Sequence, residues 1–136
     1  AFGDGRSAPL PFLQELADPM TDTRWGSVVE VSVVAAEEHG IADGDPVLVT
    51  SAQGELVARA RVMPGLRPEV VAMAVGQGHT SYGRYATDRG ANPLALLPPP
   101  DPVDGSEVAL VGTAVSIRKA PQVLAALPRA AQSLNV

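Results

Sequence analysis

The chain contains no cysteine, only two histidines, and aromatic residues at just 4% of the sequence. Without thiolates these residues can hold neither a disulfide, nor an iron–sulfur cluster, nor a thiolate zinc site. His39 and His79 are too few for a self-contained histidine-rich metal centre, so no metal ligands are assigned. Positive charge is also scarce: ten Lys and Arg against fifteen Asp and Glu leave a net charge of −5. A nucleic-acid partner held through its phosphates needs a basic face, so nucleic acid is excluded as a partner. No apolar run approaches the roughly 20 residues that span a bilayer, so no direct membrane span is expected. The start does not read as a charged and then apolar leader segment. A chain beginning at Ala1 is expected to be a trimmed precursor or a piece of a larger polypeptide. Lack of cysteine fits cytosol and periplasm equally.

What is present is a Val-, Ala- and Pro-rich chain of 136 residues, 46% hydrophobic, with 13 glycines and 13 prolines. That length makes one domain, able to bury about two-thirds of its unfolded surface around one core. Residues 1–24 carry Gly3, Gly5, Pro9, Pro11 and Pro19, which limit any helix to the short stretch Phe12–Leu16. They are expected to form an extended arm rather than a solvated tail, with Phe2, Phe12, Leu13 and Leu16 docking it. From Trp25 onward β-branched runs alternate with turns. Strands are predicted over Val28–Val33, Pro46–Thr50, Leu56–Val62, Val70–Val75 and Glu107–Ile117. A short helix over Val34–His39 is stopped by Gly40 in a left-handed cap. Ala42-Asp43-Gly44-Asp45 and Ala52-Gln53-Gly54-Glu55 are turns. Leu56, Ala58, Ala60 and Val62 alternate with Val57, Arg59 and Arg61, giving one dry and one wet strand face. Gly112 is expected at a bulge or a close backbone approach. Pro121–Ala126 opens a short C-terminal helix. Short strands separated by Gly/Pro turns argue for a closed barrel over a helical bundle.

Between the fourth and fifth predicted strands lies GQGHTSYGRYATDRGAN, residues 76–92, with four glycines and no aliphatic side chain larger than Ala. Long segments without regular structure inside compact domains are functional or disordered. Two tyrosines, a histidine and two arginines are not the make-up of a disordered linker. Gly76, Gly78 and Gly83 let backbone N–H groups point at an anion. His79, Thr80 and Ser81 offer short polar contacts, Asn92 can pair with a ring amide, and Arg84 can meet a phosphate bidentately. Each has a second reading: His79 in hydrogen bonds within the loop, Arg84 paired with Asp88, Tyr82 and Tyr85 pinning the loop onto a neighbour. Trp25 reads as a core or interface plug, His39 as a helix-end partner, and Arg59 and Arg61 as a solvated strand face. No catalytic constellation emerges. G-x-S-x-G is absent, no Lys-Ser/Thr follows the glycine pairs, and Gly26-Ser27 and Gly105-Ser106 lie in no self-cleaving context.

The run from WGSVVEVSVVAAEEHGIADGDPV through GQGHTSYGRYA to NPLALL resembles the C-terminal molybdopterin-dinucleotide-binding domain of the dimethyl sulfoxide reductase family, over about Asp4 to Lys119. The lead-in DGRSAPLPFLQELADPMTDTRWGS is most similar to the polysulfide-reductase-like branch, which includes the iron–sulfur subunit of alternative complex III. The resemblance implies a mainly β fold: a six-stranded double-psi β-barrel over residues 25–119, preceded by the arm at 1–24 and followed by a helical tail at 120–136. It implies a lid over molybdopterin guanine dinucleotide, or a relic of that pocket. Iron–sulfur clusters are then expected in the parent subunit and not in this chain. His79, Thr80 and Asn92 fall on positions that face the pterin in molybdenum-containing relatives. The implied cofactor-binding set is Gly76, Gly78, His79, Thr80, Arg84 and Asn92. Implied partners are the rest of the oxidoreductase subunit and the other subunits of a membrane electron-transfer complex, peripheral on the periplasmic side of the bacterial inner membrane. The competing expectation is a small independent β-barrel module that recognises a protein and binds no cofactor.

Overall fold

The computed structural model describes residues 2–99 and 110–121. The first strand, β1, spans Val28–Ser32, and its Val29 and Val31 are buried. Ser32 ends the strand and caps the helix that follows: its side chain accepts a hydrogen bond from Ala35 N at 3.0 Å. Such a cap satisfies one of the orphan donors of a helix start and contributes about 1 kcal/mol. With α1 taken as Pro11–Glu15, this helix is α2, Val33–Glu38. Gly40, at φ +62°, turns the chain out of it. The turn is closed by Gly40 N donating to Glu37 O at 3.2 Å and Ile41 N to Ala36 O at 2.8 Å. This paired closure needs a residue at positive φ, and it seats the buried Ile41 back on the core.

Strand β2, Pro46–Thr50, starts at a proline, where a missing donor does least harm. A four-residue loop, closed by Ser51 N to Gly54 O at 2.8 Å, leads into β3, Glu55–Met63. Along β3, Leu56, Ala58 and Ala60 are buried while Arg59 is exposed, the alternation a half-wet strand requires. β3 changes partner at Arg59, which pairs with both Pro46 of β2 (antiparallel) and Val28 of β1 (parallel). Strand β4, Val71–Met73, adds antiparallel to β1, and β5, Ser116–Lys119, antiparallel to β2. The order is β4-β1-β3-β2-β5.

The fold is therefore mainly β with short helices. Where six strands in a closed ring are expected, the described residues form five, with β4 and β5 as edges. Residues 110–115 account for the difference: they are not strand, and Leu110, Val111, Gly112, Thr113 and Val115 share with β4 a cavity of about 340 Å³. Leu110, within the last predicted strand, is 61% exposed there. Gly112 has φ +87° with no atom within 4 Å of the position a Cβ would take, so it serves a turn and not a close approach. The predicted Val70–Val75 strand shortens to three half-buried residues, and among the described strands β4 pairs with β1 alone. Residues 107–109 of the last predicted strand, and the helical tail beyond Pro121, lie outside the described residues.

Candidate functional site

The segment at 76–92 leaves the end of β4 and is bound at both of its ends. Its far end is held by Ser27, whose Oγ accepts from Ala91 N at 3.1 Å and donates to Ala91 O at 3.3 Å. Beyond it, Asn92 Oδ1 caps the 3-10 turn Pro93–Leu96 by accepting from Leu94 N at 3.1 Å. Ser51 Oγ donates to Leu96 O at 2.8 Å, fixing that turn to the β2–β3 hairpin. Internally, Gly78 N donates to Arg89 O at 2.8 Å and Asp88 N to His79 O at 3.0 Å. Thr87 returns both its N (2.9 Å) and its Oγ1 (2.7 Å) to Gly83 O. A loop stitched in this way presents side chains from a set position.

Residues 2–27 pack against this loop. Ala8 and Gln14 are buried, and the carboxamides of Gln14 and Gln77 bond reciprocally: Gln77 Nε2 to Gln14 Oε1 at 2.9 Å, Gln14 Nε2 to Gln77 Oε1 at 3.4 Å. Gln14 Nε2 also reaches Ala8 O at 2.9 Å. Trp25, half-buried, donates its Nε1–H to Glu15 Oε1 at 2.7 Å and receives the Arg89 guanidinium over its ring at 5.3 Å. The apolar side chains expected to dock the arm divide. Phe2 and Leu13 are half-buried, but Phe12 and Leu16 point outward, because Gln14 takes the inward position of α1.

On the outer surface of the loop, Gly78, His79, Thr80, Ser81, Tyr82 and Asn92 line an open depression of about 420 Å³. Four of the six residues proposed from sequence thus meet: Gly78, His79, Thr80 and Asn92. Gly76 lies elsewhere, at φ +100° under the N-terminal segment, where a Cβ would come within 2.9 Å of Gly3 O and Phe2 Cβ. Arg84 is not brought to the depression either. It is exposed, its guanidinium 5.1 Å from the centre of the Tyr85 ring, and among the described residues it makes no ion pair with Asp88. Tyr82 does pin the loop, though to the arm: its ring lies 4.9 Å from that of His79 and its hydroxyl donates to Arg6 O at 3.4 Å. His39 is the exposed C-terminal cap of α2. Arg61 pairs with Asp43 at 3.2 Å on the strand face, a contact that exposure makes weak.

The chemistry of the depression is that of neutral donors. Thr80 and Ser81 carry exposed hydroxyls. Among the described residues no partner meets the backbone N–H groups of Thr80, Ser81 and Tyr82. With its oxygen occupied by Leu94, Asn92 has its amide nitrogen left to donate. His79 Nε2 is buried without a hydrogen-bond partner. The hydroxyls, backbone N–H groups and Asn92 amide nitrogen suit the amide edge of a flat heterocycle or an anion approached by backbone, so the residues fit a pterin dinucleotide. No group of three or more His, Cys, Asp or Glu among the described residues could hold a metal, and no described helix is long and apolar enough to cross a membrane. Sequence reasoning missed Gly5, Gln14, Ser27 and Gln77, whose roles arise only when the arm meets the loop.

Residues 16–109 match the family model described as "Molydopterin dinucleotide binding domain". The chain is 37% identical over 108 residues to the arsenate respiratory reductase molybdopterin-containing subunit ArrA of Chrysiogenes arsenatis, covering 73% of this chain and 13% of that protein. It is 36% identical over 85 residues to ArrA of Shewanella sp. strain ANA-3, covering 62% and 10%. It is 32% identical over 125 residues to the menaquinone reductase molybdopterin-binding-like subunit of Nitratidesulfovibrio vulgaris, covering 88% and 17%. The chain thus spans between a tenth and about a sixth of the length of these relatives. The matched segment contains every residue lining the depression, and with it the chain belongs to the molybdopterin-dinucleotide-binding domain family.

Proposed function

We propose that this chain forms one wall of the cofactor pocket in a molybdopterin-oxidoreductase subunit, closing over a molybdopterin guanine dinucleotide through the loop at 76–92. One observation carries the reading: the donor-lined depression that gathers Gly78, His79, Thr80, Ser81, Tyr82 and Asn92 on a loop fixed at both ends. When bound, the pterin dinucleotide supplies the metal chelate at which electrons are exchanged. This chain's residues bind and orient. Thr80, Ser81 and Asn92 donate to heteroatoms of the ligand, His79 offers an imidazole edge, and the glycines admit the backbone to close range. The N-terminal segment backs the loop from behind.

The wider setting belongs to the same proposal. The five strands are part of a six-stranded double-psi barrel. The parent subunit, of the polysulfide-reductase-like branch, carries the iron–sulfur clusters and works in a respiratory complex on the periplasmic side of the inner membrane. Relatives named as molybdopterin-containing subunits of arsenate respiratory reductases support the pterin half of this reading.

The test is pterin retention by the intact parent subunit. Oxidised pterin fluorescence and molybdenum content of the purified protein should show stoichiometric cofactor. Asn92→Ala, which deletes one donor and one cap, should release pterin about five- to tenfold faster on dilution. A parent subunit that carries no pterin and no molybdenum or tungsten refutes the pterin half and leaves the domain as a structural relic.

A further inference from the structure

Gly5, far from the depression in sequence, sits directly behind it. It is buried at φ +87°, and a Cβ built there would lie 2.9 Å from His79 Nε2, 3.0 Å from His79 Cε1 and 3.3 Å from Gly76 O. The first contact is closer than real Cβ atoms come, the second is tighter than most, and φ +87° is rarely adopted by residues with side chains, so glycine is the residue suited to this approach to the imidazole. The contact explains the orphaned ring nitrogen: Nε2 is buried with no partner because the arm's backbone covers it. Two further ties hold the covering segment in place. Tyr82 lies against the His79 ring, centroids 4.9 Å apart and tilted by 38°, and donates to Arg6 O at 3.4 Å, and Gly5 N donates to Phe2 O at 2.9 Å. The imidazole is thereby clamped between Tyr82 and Gly5. The nitrogen left unsealed is Nδ1, on a residue that lines the depression.

We propose that Gly5 is a positioning residue for cofactor binding: by seating against the Nε2–Cε1 edge of His79, it fixes the ring so that Nδ1 is the nitrogen offered to the ligand. This rests on the functional reading above. Physically, a buried nitrogen without a partner costs free energy and persists only where packing over-determines its place. The arm supplies that packing from about 70 residues away in sequence, and no property of the loop alone would do so.

The experiment uses the intact parent subunit with two readouts. The first is deuterium exchange at the imidazole carbon Cε1, read by mass spectrometry in the peptide containing His79, with exposed His39 as internal reference. It needs no cofactor. The second is the rate of pterin release. Wild-type His79 should exchange well below His39. Gly5→Ala should bring it up to the His39 rate and release pterin about fivefold faster. Gly3→Ala, also at positive φ (+55°) but with nothing within 4 Å of its Cβ, controls for backbone strain and should change neither readout. Tyr82→Phe, which loosens the arm without adding an atom, should raise exchange to an intermediate value. In the double variant Gly5→Ala/His79→Ala, release should be no faster than in His79→Ala alone, because Gly5 acts through that ring. Exchange unchanged by Gly5→Ala, or losses that multiply in the double variant, overturn the inference while leaving the functional reading standing. A parent without pterin overturns the functional reading and the inference's ligand half, while exchange still judges the seating of the ring.

Discussion

A glutamine with 1% exposure in a five-residue helix is an unusual foundation, yet Gln14 holds the arm to the loop. Its carboxamide spends both ends: oxygen to Gln77 Nε2, nitrogen to Gln77 Oε1 and Ala8 O. Removing one member leaves the other's polar atoms buried and unpaired, which costs more than the bond itself was worth. Gln14→Leu should therefore destabilise by about 1–3 kcal/mol. The double variant Gln14→Leu/Gln77→Leu should cost less than the sum of the singles, since neither carboxamide is left unpaired and only the Ala8 carbonyl loses its partner. Chemical denaturation followed by fluorescence of Trp25, the single tryptophan and a neighbour of this contact, measures both. At this scale the sequence was legible only where chemistry is unusual. His79 and Thr80 stand out as polar side chains between glycines, and the family resemblance adds Asn92, whose oxygen is spent on capping the turn that follows. Gln14 and Gln77 look like surface residues, and nothing local says that their carboxamides meet across 63 positions. Arg84 drew notice by charge, but its guanidinium rests on the adjacent Tyr85.

At the scale of elements, the edge strand β5 is fastened to the sheet by more than its ladder. Lys119 Nζ lies 2.6 Å from Asp45 Oδ2, which also accepts from Ala42 N at 2.8 Å. These contacts, the lysine's first and the amide's second, hold the Asp45 carboxyl below its ordinary value of 3.8. A carboxylate whose folded value is depressed adds stability that is fully present above its unfolded value and lost as pH falls through the folded one. Protection of the Ala120 amide, whose N–H bonds Pro46 O at 2.8 Å, measured against the intrinsic exchange rate at each pH, should thus be high at neutral pH and fall as the medium is acidified below that value. Asp45→Asn should show faster exchange already at neutral pH and converge on the wild type in acid, an effect damped by salt because Lys119 is half-exposed. Elements of this kind were largely readable. Pro46–Thr50 and the helix stopped by Gly40 follow from rules that act within a few residues. What sequence cannot supply is pairing, since the switch of β3 at Arg59 from β2 to β1 is a non-local choice. The segment at 110–115 was misplaced for a related reason: its Val and Leu carry strand propensity, but among the described residues no ladder partner reaches them.

The whole molecule has a lopsided surface. Leu10, Phe12, Leu16 and Met20 are 42%, 61%, 63% and 73% exposed along one short stretch of the arm. Met20 and Leu16 continue into a cavity of about 430 Å³ that Phe2, Leu13 and Trp25 also line. Single exposed apolar residues are ordinary, but a run of them around a hollow is not what a self-sufficient domain presents. An independent interaction module and a wall domain part company here, because only the latter is completed by further protein. If the wall-domain reading is right, this chain studied alone should self-associate as its concentration rises, visible as an increasing weight-average sedimentation coefficient. Phe12→Ser together with Leu16→Ser should suppress that rise without lowering thermal stability, since neither side chain is buried within the chain. In the intact parent the same pair should weaken the domain's attachment and expose the arm to protease. A wild-type chain that stays monomeric at every concentration, with a parent indifferent to both substitutions, would mean that the apolar arm serves nothing beyond this domain.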